Sequence, residues 1–209
     1  MRVDHAEGLT AFQAALDSFD RVCESLTDER ALDRSRCHGW VAADVLAHVR
    51  LGLQELLLGM QHTTDAQPTT DAADYWRATP PTTDPDAEEI DGLLFARRLS
   101  TAYRRPTGLI GHLRPTLKGL ALAAKHLGDT AVEFQGHVLT SGDLLATWAV
   151  ELAIHHLDIT DEPPAEPALR LAAATVRALV GEPLPGTDTE VVLGGAGRIP
   201  FDGRPAVLG

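Results

Sequence analysis

Two stretches of this chain set ligand-type side chains at helical spacing. In the apolar run 144–157, Glu151 and His155 stand four residues apart. Residues four apart on an α-helix are surface neighbours, so a carboxylate and an imidazole share one face. Together they supply two of the three protein ligands that an open zinc site uses. The third is expected at His48, in Trp40-Val-Ala-Ala-Asp44-Val-Leu-Ala-His48-Val, where packing a core has no use for an imidazole. Glu151 lies among Trp148, Ala149, Val150, Leu152, Ala153 and Ile154, so its charge must be neutralised, paired or bound to a cation. An arginine partner is the alternative to a metal. The motif continues to Glu151-Leu-Ala-Ile-His155-His156-Leu-Asp158. Asp158, three residues beyond His155, is placed to accept that ring's second proton and so fix which nitrogen meets a metal, with a plain helix-end charge as the alternative. His156 falls about 100° round the helix from His155, toward solvent or a neighbouring helix.

These residues sit in a chain of 209, enough for one sizeable domain or for one of roughly 160 residues with a small appendage. Cys23 and Cys37 do not make a disulfide framework and no secretory pattern opens the chain, so a reducing cytoplasm is the expected location. Cys37, in Cys-His-Gly-Trp, reads as a spectator thiol. A net charge of −12 argues against a nucleic-acid surface, which draws on clustered Lys and Arg. No apolar run approaches the ~20 residues that cross a bilayer, so no membrane role is expected.

The positioning elements follow from apolar spacing. Leu9, Phe12, Leu16, Phe19 and Val22 predict a helix over 5–26, and Val41, Val45, Leu46, Val49, Leu53, Leu56 and Leu57 a second over 41–60 with His48 at its middle. Residues 61–91, rich in Thr, Asp and Pro, form a long crossing segment. Its adjacent Tyr75 and Trp76 read as a plug in a surface groove, with a ligand clamp as the alternative. A third helix is expected from Ile90 to Tyr103. Arg97, Arg98, Arg104, Arg105 and Arg114 are the one basic concentration, read as a solvated, salt-bridged face. Trp76, Arg97 and Arg104 are kept as candidates for cofactor contact. Pro106, Gly108 and Pro115 break up the next stretch, leaving a short segment over 109–113 and a short helix or turn-rich stretch over 117–127. Residues 131–138 read as extended. Thr140-Ser-Gly-Asp143, a hydroxyl cap followed by an acid in the first turn, opens the helix that carries Glu151 and His155. The prolines of 161–167 set a boundary. Beyond it come a helix over 168–180, closed by Gly181, and two β-like runs, 190–193 and 198–201, suited to a small hairpin.

The expected architecture is therefore mainly α: a four-helix bundle over 1–162 and a short C-terminal α/β appendage over 163–209. Bundle cores are a recurrent place to build metal sites from facing side chains. The two motifs, Trp40 to His48 and Glu151 to Asp158, resemble those of the DinB-like superfamily, in the branch typified by mycothiol-dependent maleylpyruvate isomerases, over about residues 5–160. The resemblance implies an up-down-down-up bundle in which His48, Glu151 and His155 hold one divalent ion, zinc with nickel as the alternative. It also implies mycothiol or a similar thiol as cofactor, a small-molecule electrophile as substrate, and isomerase or S-transferase activity. The isomerase of that branch carries a larger C-terminal domain than the stretch after the proline-rich boundary here. A metal-dependent hydrolase using bound hydroxide is the second reading, and a non-catalytic metal- or small-molecule-binding bundle the third. Whether the chain forms a homodimer is left open.

Overall fold

The structure, a computed structural model, describes residues 1–77 and 92–208. Along the chain come α1 (His5–Ser25), α2 (Asp28–Ala31), α3 (Ala42–Gly59), β1 (Thr63–Thr64), α4 (Asp74–Arg77), α5 (Gly92–Thr101), a 3-10 turn (Pro106–Leu109), α6 (Ile110–His126), β2 (Ala131–Phe134), β3 (His137–Thr140), α7 (Ser141–Ile159), α8 (Glu166–Val180) and α9 (Asp188–Gly195).

Helix α7 is the axis of the molecule. It starts where Thr140 caps it by accepting the Asp143 amide at 3.1 Å, and nearly every residue on it is buried. Leu144, Leu145, Ala149 and Leu152 join a core with Phe12, Leu16 and Phe19 of α1, Leu46, Leu53 and Leu56 of α3, and Leu113, Leu117 and Leu120 of α6. The other face, with Val150, Ala153, Ile154 and Leu157, packs against Ala172 and Val176 of α8 and Val191 and Val192 of α9. A helix covered on both sides is apolar all round, so its few polar residues stand out.

The α1–α7 crossing depends on two glycines. A Cβ on Gly8 would collide with the Gly142 carbonyl oxygen, and one on Gly142 with the backbone of Val3 and Asp4. Beside them the buried Asp143 carboxylate accepts the Val3 amide at 2.9 Å, the Arg2 guanidinium at 2.7 Å and the Thr140 hydroxyl at 2.8 Å. The N-terminal segment is thereby tied to the start of α7.

Several elements differ from the sequence reading. The third helix, expected from Ile90, is seen as α5 from Gly92 to Thr101, and Ile90 lies outside the described residues. The bundle's long third helix is instead α6, continuous through Pro115, where two short pieces were expected. Pro115 removes one backbone hydrogen bond, but Leu113, Leu117, Leu120 and Ala124 share one buried face and hold the helix together. Residues 131–140 form a hairpin, turned at Gln135 and Gly136 with φ of 48° and 77°. Two left-handed residues in a two-residue loop match the twist of paired strands; β1 adds a third, antiparallel strand. In the C-terminal segment 190–193 is helical. Thr187 and Glu190 form a reciprocal capping box at the start of α9, and burial of Val191, Val192 and Leu193 overrides their β preference. Near 198–201 the described pairing is an isolated bridge between Phe201 and Arg204. No helix among the described residues is long and apolar enough to cross a membrane.

Candidate metal centre

Helices α3 and α7 bring His48, Glu151 and His155 together. His48 Nε2 and His155 Nε2 each lie 3.1 Å from Glu151 Oε1, and one ligand atom from each residue falls within 4.8 Å of the others. Two donors about 2.1 Å from one tetrahedral ion would stand roughly 3.4 Å apart, so the observed spacing fits a shared divalent cation. The His48 and His155 rings meet edge to face at 4.9 Å between centroids, and Trp40 sits edge-on to His48 at 5.5 Å. The His48 side chain is 39% exposed and Glu151 22%, against 7% for His155. The cluster therefore opens to solvent on the His48 side and is closed behind His155.

The closed side is held by a chain of contacts. His155 Nδ1 donates to Asp158 Oδ2 at 2.9 Å, which leaves Nε2 directed at Glu151. Asp158, whose side chain is fully buried, also accepts Arg198 Nε at 2.8 Å on Oδ1 and Arg198 Nη2 at 3.0 Å on Oδ2. Burial by itself would raise both carboxyl pKa values. For Glu151 the charges and hydrogen bonds of His155 and His48 outweigh it and hold the acid well below the usual carboxylate range. For Asp158 the bonds from His155 and Arg198 have the same effect. Burial would lower the His155 pKa, but Glu151 and Asp158 together push it up to about 9. His156 is buried rather than turned to solvent, and its Nε2 donates to the Glu162 carbonyl at 2.9 Å.

Beside the cluster lies a cavity of about 410 Å³ lined by His48, Val49, Gly52, Glu55, Tyr75, Trp76, Gln135, Thr147, Trp148 and Glu151. Gly52 is required here, because a Cβ would come within 2.7 Å of the Trp148 ring that lies across α3. Trp76 thus lines the cavity, as does Tyr75. Arg97 and Arg104 are exposed on and after α5 and do not line it. Arg105 and Arg114 are engaged elsewhere, with Asp28 and with Asp20 and Glu24.

The helical spacing that groups the candidate ligands continues into the cavity wall. Gly52 and Glu55 follow His48 at four and seven residues, while Thr147 and Trp148 precede Glu151 at four and three, so one helical face on each side builds the cavity wall. Gln135 and Arg198 carried no such signal. One arrives on a hairpin tip and the other from a C-terminal loop.

The model of the mycothiol maleylpyruvate isomerase N-terminal domain matches residues 12–160. The chain belongs to this family. Two solved structures share its fold. One, of a mycothiol-dependent maleylpyruvate isomerase, aligns at 18% identity with a TM-score of 0.57 over 82% of this chain and 69% of that one. The other, a histidine-to-alanine mutant of a protein of the same name, aligns at 17% identity with a TM-score of 0.63 over 95% and 90%. The likeness in fold therefore takes in the C-terminal segment as well as the DinB-like bundle. No curated protein sequence matches the chain.

Proposed function

We propose that this protein binds one divalent ion, zinc before nickel, through His48, Glu151 and His155, and acts as a thiol-dependent isomerase or S-transferase on a small electrophile. The observation that carries the reading is the convergence of three ligand atoms within 4.8 Å at one wall of a cavity open to solvent. A divalent ion held there would deprotonate a coordinating thiol and keep it as a nucleophile. The family and the names of the two solved structures support mycothiol as that thiol.

The chain's own groups have distinct tasks in this reading. Asp158 holds the His155 tautomer and Trp40 limits rotation of His48, so two ligands are set before any ion arrives. Glu151 supplies the negative charge that a cation needs in an apolar wall. Trp148, Val49 and Trp76 keep bulk water from the space where thiol and electrophile meet. Cobalt(II) substitution followed by mycothiol titration tests the proposal. A thiolate-to-cobalt charge-transfer band saturating at one equivalent is expected, whereas a cobalt site that ignores thiol but hydrolyses esters would favour the hydrolase.

A further inference from the structure

We infer that the cavity beside His48 and Glu151 selects an uncharged, flat, apolar electrophile and rejects dicarboxylates. The inference deepens the proposed function and rests on its reading of this cavity as the substrate compartment.

The walls are chemically one-sided. Val49, the open backbone of Gly52, Tyr75, Trp76 and Trp148 offer apolar and aromatic surface, while the formal charges among the lining residues are the carboxylates Glu55 and Glu151. Among the described residues no Lys or Arg lines the cavity. A carboxylate drawn from water into such a space needs a cation or several donors, or the cost of burying it is not recovered. Three of the polar groups that line the cavity are engaged with each other, since the Tyr75 hydroxyl donates to Gln135 Oε1 and Gln135 Nε2 donates to Glu55 at 2.9 Å, while the Trp76 and Trp148 indole N–H groups are buried without a partner. Burial, then the charges of Glu151 and Glu55, push the Tyr75 hydroxyl pKa up, so the field of both carboxylates reaches into the cavity.

Three guanidinium groups outside the lining are committed elsewhere. Arg77 donates to the Leu179 carbonyl at 2.8 Å and pairs with Asp74. Arg36 serves the Leu157 and Thr160 carbonyls and Asp161. Arg198 is taken by Asp158. Arg50, two residues beyond His48, falls about 200° round α3 from it, on the far face. A divalent ion bound by Glu151 and one thiolate forms a neutral set, which leaves Glu55 as net negative charge facing the substrate. Maleylpyruvate, for which the solved structures are named, carries two carboxylates and does not match this lining.

Calorimetric titration of the full-length protein, both zinc-loaded with mycothiol saturating the metal and metal-free, with dimethyl phthalate and with phthalate tests this. The two probes share one flat ring and differ in charge, and neither is an electrophile toward thiols under these conditions. The diester should bind zinc-loaded protein at least about tenfold more tightly than the dianion, and Glu55→Lys should narrow that ratio by a similar factor. Phthalate binding as tightly as the diester, failure of both to bind, or a ratio unmoved by Glu55→Lys would each overturn the inference. Zinc stoichiometry is measured on the same samples. Absent zinc binding with the diester preference intact would count against the proposed function alone.

Discussion

Arg198→Ala would separate the candidate metal cluster from the C-terminal segment that braces it. The guanidinium makes two hydrogen bonds, at 2.8 and 3.0 Å, to a carboxylate whose side chain is fully buried. Removing it leaves Asp158 charged with the His155 ring proton as its remaining partner, at 2.9 Å. Breaking a buried pair from one side costs about 3–5 kcal/mol, and because the Arg198 side chain is 18% exposed the lower end, about 3 kcal/mol, applies. For a chain of this size that lowers Tm by about 6–12 °C. Loosening Asp158 also loosens His155, so zinc affinity should fall by about tenfold, the low end for an outer-shell partner. Differential scanning calorimetry and competition with a zinc chelator read the two effects separately. In the double variant Arg198→Ala/Asp158→Asn no buried charge is stranded and the amide oxygen still accepts the His155 proton, so more than half of the lost stability should return. If Arg198→Ala unfolds at the wild-type temperature and binds zinc unchanged, the bracing role is refuted.

Gly8→Ala forces α1 away from the Gly142 carbonyl and should cost about 1–3 kcal/mol of stability by chemical denaturation, as overpacking does; an unchanged midpoint would mean the crossing has slack. Thr187→Ala removes the cap of α9 and should cost about 1 kcal/mol while leaving zinc affinity unaltered, and a change in affinity would show that α9 reaches the site. Asp28 is held down to about 2 by hydrogen bonds from the Thr107 side chain and amide and then from Arg105. Since its folded pKa is depressed, its stabilising effect is present above the ordinary carboxylate range and is lost as pH falls toward 2. Acid unfolding of Asp28→Asn should therefore be less steep than wild type across that window, and identical profiles would contradict the assignment.

Much of the candidate site was legible because both segments that carry its residues are helices. Glu151, His155 and Asp158 fall on one face by spacing alone, and Thr140 with Asp143 marks the start of the helix that carries them. His48 could be singled out because an imidazole among Val45, Leu46, Val49 and Leu53 has no packing purpose. The hairpin tip that brings Gln135 to the cavity was read as one extended run, since a Gln-Gly turn gives a weaker local signal than Asn-Gly. In residues 190–193 Val-Val-Leu favours β structure locally, whereas the Thr187 to Glu190 capping box signals the helix that forms. Arg198 was out of reach. Its partner is forty residues away in the chain, and a long-range ion pair leaves no periodic trace in one sequence.

The central claim, a metal held by three side chains from two helices, is tested most directly by zinc stoichiometry and affinity in wild type beside His48→Ala. The account predicts one tightly bound equivalent in wild type and a loss of at least about a hundredfold in affinity when the imidazole is removed, since two ligands remain where an open site uses three. One equivalent bound by His48→Ala with wild-type affinity would contradict it.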